Sequence, residues 1–251
     1  MIDIKVDSRE LKDIALMIFD KDGTLMDLYH YWSNMVGYRV ELAGKKLGFN
    51  EKEKPRIMYA MGVDLACRKL RSEGPVGIRK REVVMAAMEE ALSAIGFKDT
   101  RELCLEVFKE ADAVSIFHLQ DIIRPIRGMT ELINGLHSRG CRIGLATTDK
   151  TRRAELALGF LGIKDKVDII IGEDMVGNYK PHPDMVNLIL EKLAIDKRHA
   201  VMVGDAVTDI EMGNNAGLKA SIAVLSGIAT REQFAGKTTH IVPDISYIDI
   251  M

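Results

Sequence analysis

Two carboxylates, Asp20 and Asp22, stand one residue apart at the end of an apolar run and are followed at once by Gly23. The run Ile14-Ala15-Leu16-Met17-Ile18-Phe19 reads as a buried parallel strand. Side chains alternate along a strand, so Asp20 and Asp22 face one side at its carboxyl end. In an open α/β sheet that end is where ligands bind. Acids at the mouth of a buried strand are costly unless a cation or a bound substrate uses them. The plainer alternative is a strand running into an Asp-Gly turn.

Three later segments carry polar residues in comparable places. Leu145-Ala146-Thr147-Thr148-Asp149 puts a hydroxyl and backbone N–H groups at a strand-to-helix junction, a cradle for an oxyanion or phosphate, or simply a helix N-cap. In Asn178-Tyr179-Lys180-Pro181-His182-Pro183-Asp184 the lysine precedes a helix start and can project over the sheet edge, or lie solvated in a loop. In Val201-Met202-Val203-Gly204-Asp205-Ala206-Val207-Thr208-Asp209, Asp205 leaves a strand as Asp20 does. Asp209 follows one helical turn later, where an acid also suits the helix dipole.

The elements that must position these residues follow from periodicity. From Asp27 to about Gln120 the pattern is helical: Leu28 to Leu47, Glu53 to Met61, Ile78 to Ile95, and a helix from an N-cap at Thr100 to about His118. From Arg124 onward strands alternate with helices of about ten residues, which implies βαβ units and a parallel sheet. Strands are predicted at 142–146, 167–171, 200–203, 220–224 and near 240–242, with helices at 129–138, 151–161, 183–193 and 207–216. The first strand must join this later sheet. The expected architecture is a Rossmann-like, doubly wound α/β core of residues 1–26 and 121–251, interrupted by an all-helical domain of residues 27–120.

The set D-x-D-G-T, h-h-h-T, K-P and G-D-x-x-x-D, with Lys180-Pro-His-Pro-Asp and Met212-Gly-Asn-Asn-Ala-Gly, resembles the haloacid dehalogenase superfamily. The helical insert resembles that family's cap, in the branch of phosphoglycolate phosphatase and β-phosphoglucomutase. The resemblance implies a phosphatase of a small phosphorylated metabolite, with a sugar phosphomutase as the alternative. It makes Asp20 the nucleophile that forms an aspartyl-phosphate and Asp22 the general acid and later base. Asp20, Asp205 and the Asp22 backbone carbonyl would hold Mg²⁺. Thr147 and the Thr148 amide would bind the phosphoryl oxygens, Lys180 would neutralise their charge, and Asp209 would orient Lys180 or a metal-bound water. Lys21 departs from the apolar residue usual in this branch, and alternation predicts that it points away from the acids, toward the cap or solvent, the alternative being that its charge adjoins an anionic substrate.

Elsewhere the chemistry is thin. Arg68 and Arg71, with Arg56 and Lys69, form a basic cluster in the insert that could bind a second anionic group or be a solvated loop. His30 and Trp32 are expected to pack cap against core. In this chain of 251 residues, 35 Lys and Arg against 37 Asp and Glu leave a net charge of −2, which calls for neither nucleic acid nor an anionic membrane. Three scattered cysteines imply reduced thiols and a cytoplasmic setting; a monomer or homodimer is expected, with no sequence signal choosing between them. A phosphoaccepting signalling receiver is shorter, lacks a helical insert, and places its acid pair and phosphoacceptor on different strands. A dehalogenase would not need Asp22, since halide leaves without a proton.

Overall fold

The computed structural model describes residues 1–77 and 79–251. In chain order the elements are β1 (Ile2–Val6), β2 (Arg9–Ile14), β3 (Leu16–Phe19), α1 (Leu28–Leu47), α2 (Lys54–Ala60), β4 (Val63–Asp64), β5 (Lys69–Leu70), α3 (Arg81–Ala94), α4 (Arg101–Phe117) and α5 (Leu119–Ile122). There follow α6 (Met129–Ser138), β6 (Arg142–Ala146), α7 (Thr151–Phe160), β7 (Ile169–Ile171), α8 (Asp184–Leu193), β8 (Ala200–Gly204), α9 (Val207–Ala216), β9 (Ala220–Val224), β10 (His240–Val242) and β11 (Ile248–Ile250). The chain divides into two units, residues 1–27 with 125–251 and residues 28–124.

The first unit is built on a six-stranded parallel sheet in the order β10-β9-β8-β3-β6-β7. Both faces of the central strand β3 are covered, which is why its residues are uniformly apolar. Met17 and Phe19 enter one cluster with Leu132 and Ile133 of α6 and Leu158 of α7. Leu16 and Ile18 enter the opposite cluster with Met185 and Ile189 of α8 and Met212 of α9. The sheet is therefore doubly wound, as expected.

Register brings the strand ends level. Phe19 lies opposite Leu145 on β6 and Val203 on β8. The Asp20 N–H continues the ladder by donating to the Val203 carbonyl at 2.9 Å. Asp20, Thr147 and Asp205 thus emerge from three adjacent strands at one edge.

An antiparallel sheet in the order β11-β1-β2 lies outside the expected elements. Its signal was present in the alternation Ile2-Asp3-Ile4-Lys5-Val6, whose three aliphatic residues are buried. The insert forms a helical unit with its own core, including Val36 and Val40 of α1, Met85 and Met88 of α3, and Val107 and Phe108 of α4. It also contains the two-residue strands β4 and β5, paired antiparallel, in a stretch expected to be loop. Thr100 precedes α4 without a side-chain capping bond. The expected start of the third helix at Ile78 lies outside the described residues, and α3 begins at Arg81.

Ile18→Ala should lower the unfolding free energy by about 2–5 kcal/mol, since Ile18 is fully buried on the central strand. Urea denaturation followed by circular dichroism checks this, as a lower midpoint at unchanged slope.

Candidate active site

The centre of the sheet edge is an ammonium between two carboxylates. Lys180 Nζ lies 2.6 Å from Asp20 Oδ1 and 2.6 Å from Asp209 Oδ1. The Lys180 side chain is only 3 % exposed although it follows an exposed loop. Asp209 is held at its other oxygen too, because Oδ2 accepts from the Ala206 N–H at 3.0 Å at the start of α9. The lysine expected over the sheet edge and the acid one helical turn beyond Asp205 thus meet.

Asp205 completes a buried cluster in which carboxylate oxygens of Asp20, Asp205 and Asp209 all lie within 4.8 Å of one another. Its own hydrogen bonds are long: Thr24 Oγ1 donates to Oδ1 at 3.3 Å and the Ile228 N–H to Oδ2 at 3.4 Å. Burial pushes the Asp205 carboxyl well up from the ordinary range, and the neighbouring Asp20 and Asp209 charges add to this. Asp20 is likewise raised, by burial first, with Lys180 opposing. Burial alone would push the Lys180 ammonium down, but the charges of Asp20 and Asp209 outweigh it and hold it above its usual value. Three buried acids facing one ammonium leave an excess of negative charge, and the donors are all hard oxygens. This composition fits a cation such as Mg²⁺. With Asp209 committed to Lys180 and Ala206, the oxygens best placed to hold it belong to Asp20 and Asp205.

Two glycines are required by this packing. Gly23 has φ +87°, and a Cβ there would lie 2.6 Å from Asp205 Cγ. A Cβ on Gly227 would lie 1.7 Å from Asp205 Oδ2. Ser226 beside it donates to the Gly23 carbonyl at 2.6 Å. The Ser226–Ile228 segment was not anticipated; a glycine just after β9, at the ligand edge of the sheet, was its signal.

Thr147 is buried at the end of β6, and its Oγ1 accepts from the Asp149 N–H at 3.2 Å. Thr148 is exposed beside it. Asp22 is not in the carboxylate cluster. Its Oδ1 lies 2.6 Å from the Nζ of Lys21. This corrects the expectation for Lys21, which is 3 % exposed and paired with an acid rather than pointing to solvent. The reason is local: β3 ends at Phe19 and the chain bends at Lys21, so strand alternation no longer applies.

In the helical unit, Arg68 is exposed in the β4–β5 connection with φ 50°. Arg71 is not part of a loose basic loop. Its Nη2 lies 2.8 Å from Glu73 Oε1, its Nη1 donates to the Tyr59 carbonyl at 3.1 Å, and its guanidinium stacks 4.1 Å over the Tyr59 ring. His30 and Trp32 find partners within the unit: His30 Nε2 lies 2.8 Å from the Asp121 carbonyl, and Trp32 packs against the unit's core.

A family model described as haloacid dehalogenase-like hydrolase matches residues 14–217. Pyrophosphatase PpaX of Halalkalibacterium halodurans is 31% identical over 105 residues, which cover 42% of this chain and 49% of that protein. The chain thus spans about half the length of that relative. Phosphoglycolate phosphatase of Aquifex aeolicus is 26% identical over 224 residues, 88% of this chain and 89% of its own. Among solved structures, a HAD-superfamily hydrolase of subfamily IA from Geobacter sulfurreducens matches at TM-score 0.61 and 20% identity, covering 85% of this chain and 88% of its own. A β-phosphoglucomutase from Clostridium difficile matches at TM-score 0.55 and 22% identity, covering 93% and 92%. At these identities the structures speak to the fold alone. Among the described residues, no helix is long and apolar enough to cross a membrane.

Asp205→Asn should raise the melting temperature of the metal-free protein at neutral pH, because burial opposes ionisation of the Asp205 carboxyl and an amide carries no such cost. It should also abolish stabilisation by Mg²⁺, which for the unsubstituted protein should reach about 2.7 kcal/mol at a hundred times the dissociation constant. Thermal melts with and without Mg²⁺ read both.

Proposed function

Because the chain belongs to the haloacid dehalogenase-like hydrolases, we propose that it is a Mg²⁺-dependent phosphatase acting on a small phosphorylated metabolite through a phosphorylated Asp20. The observation that carries this reading is the buried Lys180 ammonium held 2.6 Å from both Asp20 and Asp209, with Asp205 alongside. Phosphoryl transfer needs an in-line nucleophile, a proton donor for the leaving oxygen, and positive charge around the equatorial oxygens.

Asp20 attacks phosphorus through Oδ2, the oxygen not bonded to Lys180, as the bond from phosphorus to the leaving oxygen breaks. Asp22 gives its proton to that oxygen. It then takes a proton from the water that attacks phospho-Asp20, and the phosphorus–Asp20 bond breaks to release inorganic phosphate. Thr147 and the Thr148 amide bind phosphoryl oxygens, Lys180 offsets their charge, and Asp209 holds Lys180 in place. Asp20, Asp205 and the Asp22 backbone carbonyl would hold Mg²⁺, which when bound supplies positive charge at the transferring group.

The relatives' names, pyrophosphatase and phosphoglycolate phosphatase, support a small phosphorylated substrate, and the second match runs over most of the chain. Arg71, expected with Arg68 to bind a carboxylate or second phosphate, already has its charge offset by Glu73. A mutase would use the same core residues but needs side chains that hold and reorient a sugar bisphosphate. Arg71, a candidate for binding a second anionic group, is bonded within the helical unit, which favours net hydrolysis.

Phosphate release from a panel of phosphate esters should vanish in EDTA and return with Mg²⁺, while Ca²⁺, with its looser coordination, should inhibit. Asp20→Asn should lower p-nitrophenyl phosphate hydrolysis by several orders of magnitude. Activity within tenfold of the unsubstituted enzyme would remove Asp20 as nucleophile, by the standard expected of covalent catalysis. Conversion of β-glucose 1-phosphate to glucose 6-phosphate with little free phosphate would replace hydrolysis by the mutase reading.

A further inference from the structure

A buried lysine stands between the two acids of the first strand end, and nothing in the proposed chemistry uses it. Lys21 is 3 % exposed, with its Nζ 2.6 Å from Asp22 Oδ1 and 3.6 Å from Asp149 Oδ2. Its partners come from two different loops, one after β3 and one after β6. The second loop is the one that presents Thr147, whose hydroxyl the Asp149 N–H caps. The Asp22 side chain is 29% exposed, so part of it faces solvent. A single fixed ammonium therefore ties a partly solvated carboxylate to the buried sheet edge.

We propose that Lys21 is a positioning residue for the proton-transfer step, holding Asp22 by its Oδ1 so that Oδ2 is left to face the leaving oxygen. The proposal rests on the reading of Asp22 as proton donor. A lysine suits this place because its ammonium reaches both Asp22 Oδ1 and Asp149 Oδ2, whereas an apolar residue of similar length would leave Asp22 to solvent and to several rotamers. Displacement of a reacting group by about 1 Å can cost on the order of a hundredfold in rate. That loss falls on substrates whose leaving group needs the proton.

The test compares kcat/KM for phenyl phosphate and p-nitrophenyl phosphate. This ratio covers the steps up to transfer to Asp20, and nitrophenolate leaves far more readily without a proton. Lys21→Met should reduce the value for phenyl phosphate about tenfold or more beyond any reduction for p-nitrophenyl phosphate. Asp22→Asn should show the same asymmetry, more strongly. The double variant should cost no more than Asp22→Asn alone, because Lys21 acts through Asp22. Lys21→Gln, uncharged but still a donor, carries the same comparison should Lys21→Met not fold. Equal losses for both esters in the Lys21 variants, additive losses in the double variant, or a gain in turnover on loss of the lysine would each overturn the proposal while leaving Asp22 as proton donor. If Asp22→Asn itself lost equally on both esters, the proton-donor reading would fail and this proposal with it.

Discussion

Negative charge confined at the mouth of a parallel sheet is the constraint around which the first unit is arranged. Asp20, Asp205 and Asp209 bring carboxylate oxygens within 4.8 Å of one another, and burial makes each charge expensive. Lys180 offsets part of that charge by bridging two of the three acids. Removing one partner from such a buried group typically costs far more than the group contributes when whole. The sheet register, the glycines packed on Asp205 and the capping of Asp209 by Ala206 all hold this charge cluster in one geometry.

The cluster is also unbalanced by design of its composition. Asp209 is bonded at both oxygens and Asp20 at one, while Asp205 has only long contacts. Electrostatic demand is therefore concentrated on Asp20 and Asp205. Under the proposed reading, a bound cation would offset this charge and stabilise the fold by mass action.

A second ionic group sits beside the first and is organised differently. Lys21, Asp22 and Asp149 join the loops after β3 and β6, and Asp22 is partly solvated where Asp20 is buried. Two carboxylates one residue apart thus occupy unlike environments, one desolvated against Lys180 and one held at the edge by Lys21.

Much of this was legible in the chain. The apolar run ending at Asp20, the strand–helix alternation after residue 124, and the polar residues at the ends of later strands locate the site, because buried parallel strands must be apolar throughout and ligands bind at their carboxyl ends. Helix α1 and strands β6 and β9 fall where periodicity places them. The direction of Lys21, the pairing of Arg71 with Glu73 and Tyr59, and the seating of Gly227 against Asp205 depended on the tertiary structure. Periodicity describes a chain only while it stays in a regular element. At Lys21 the strand has ended, and side-chain direction there is decided by which charges the fold brings close. Local pattern therefore determined the elements and the residue types at the sheet edge, while long-range register and packing determined which of those charges meet.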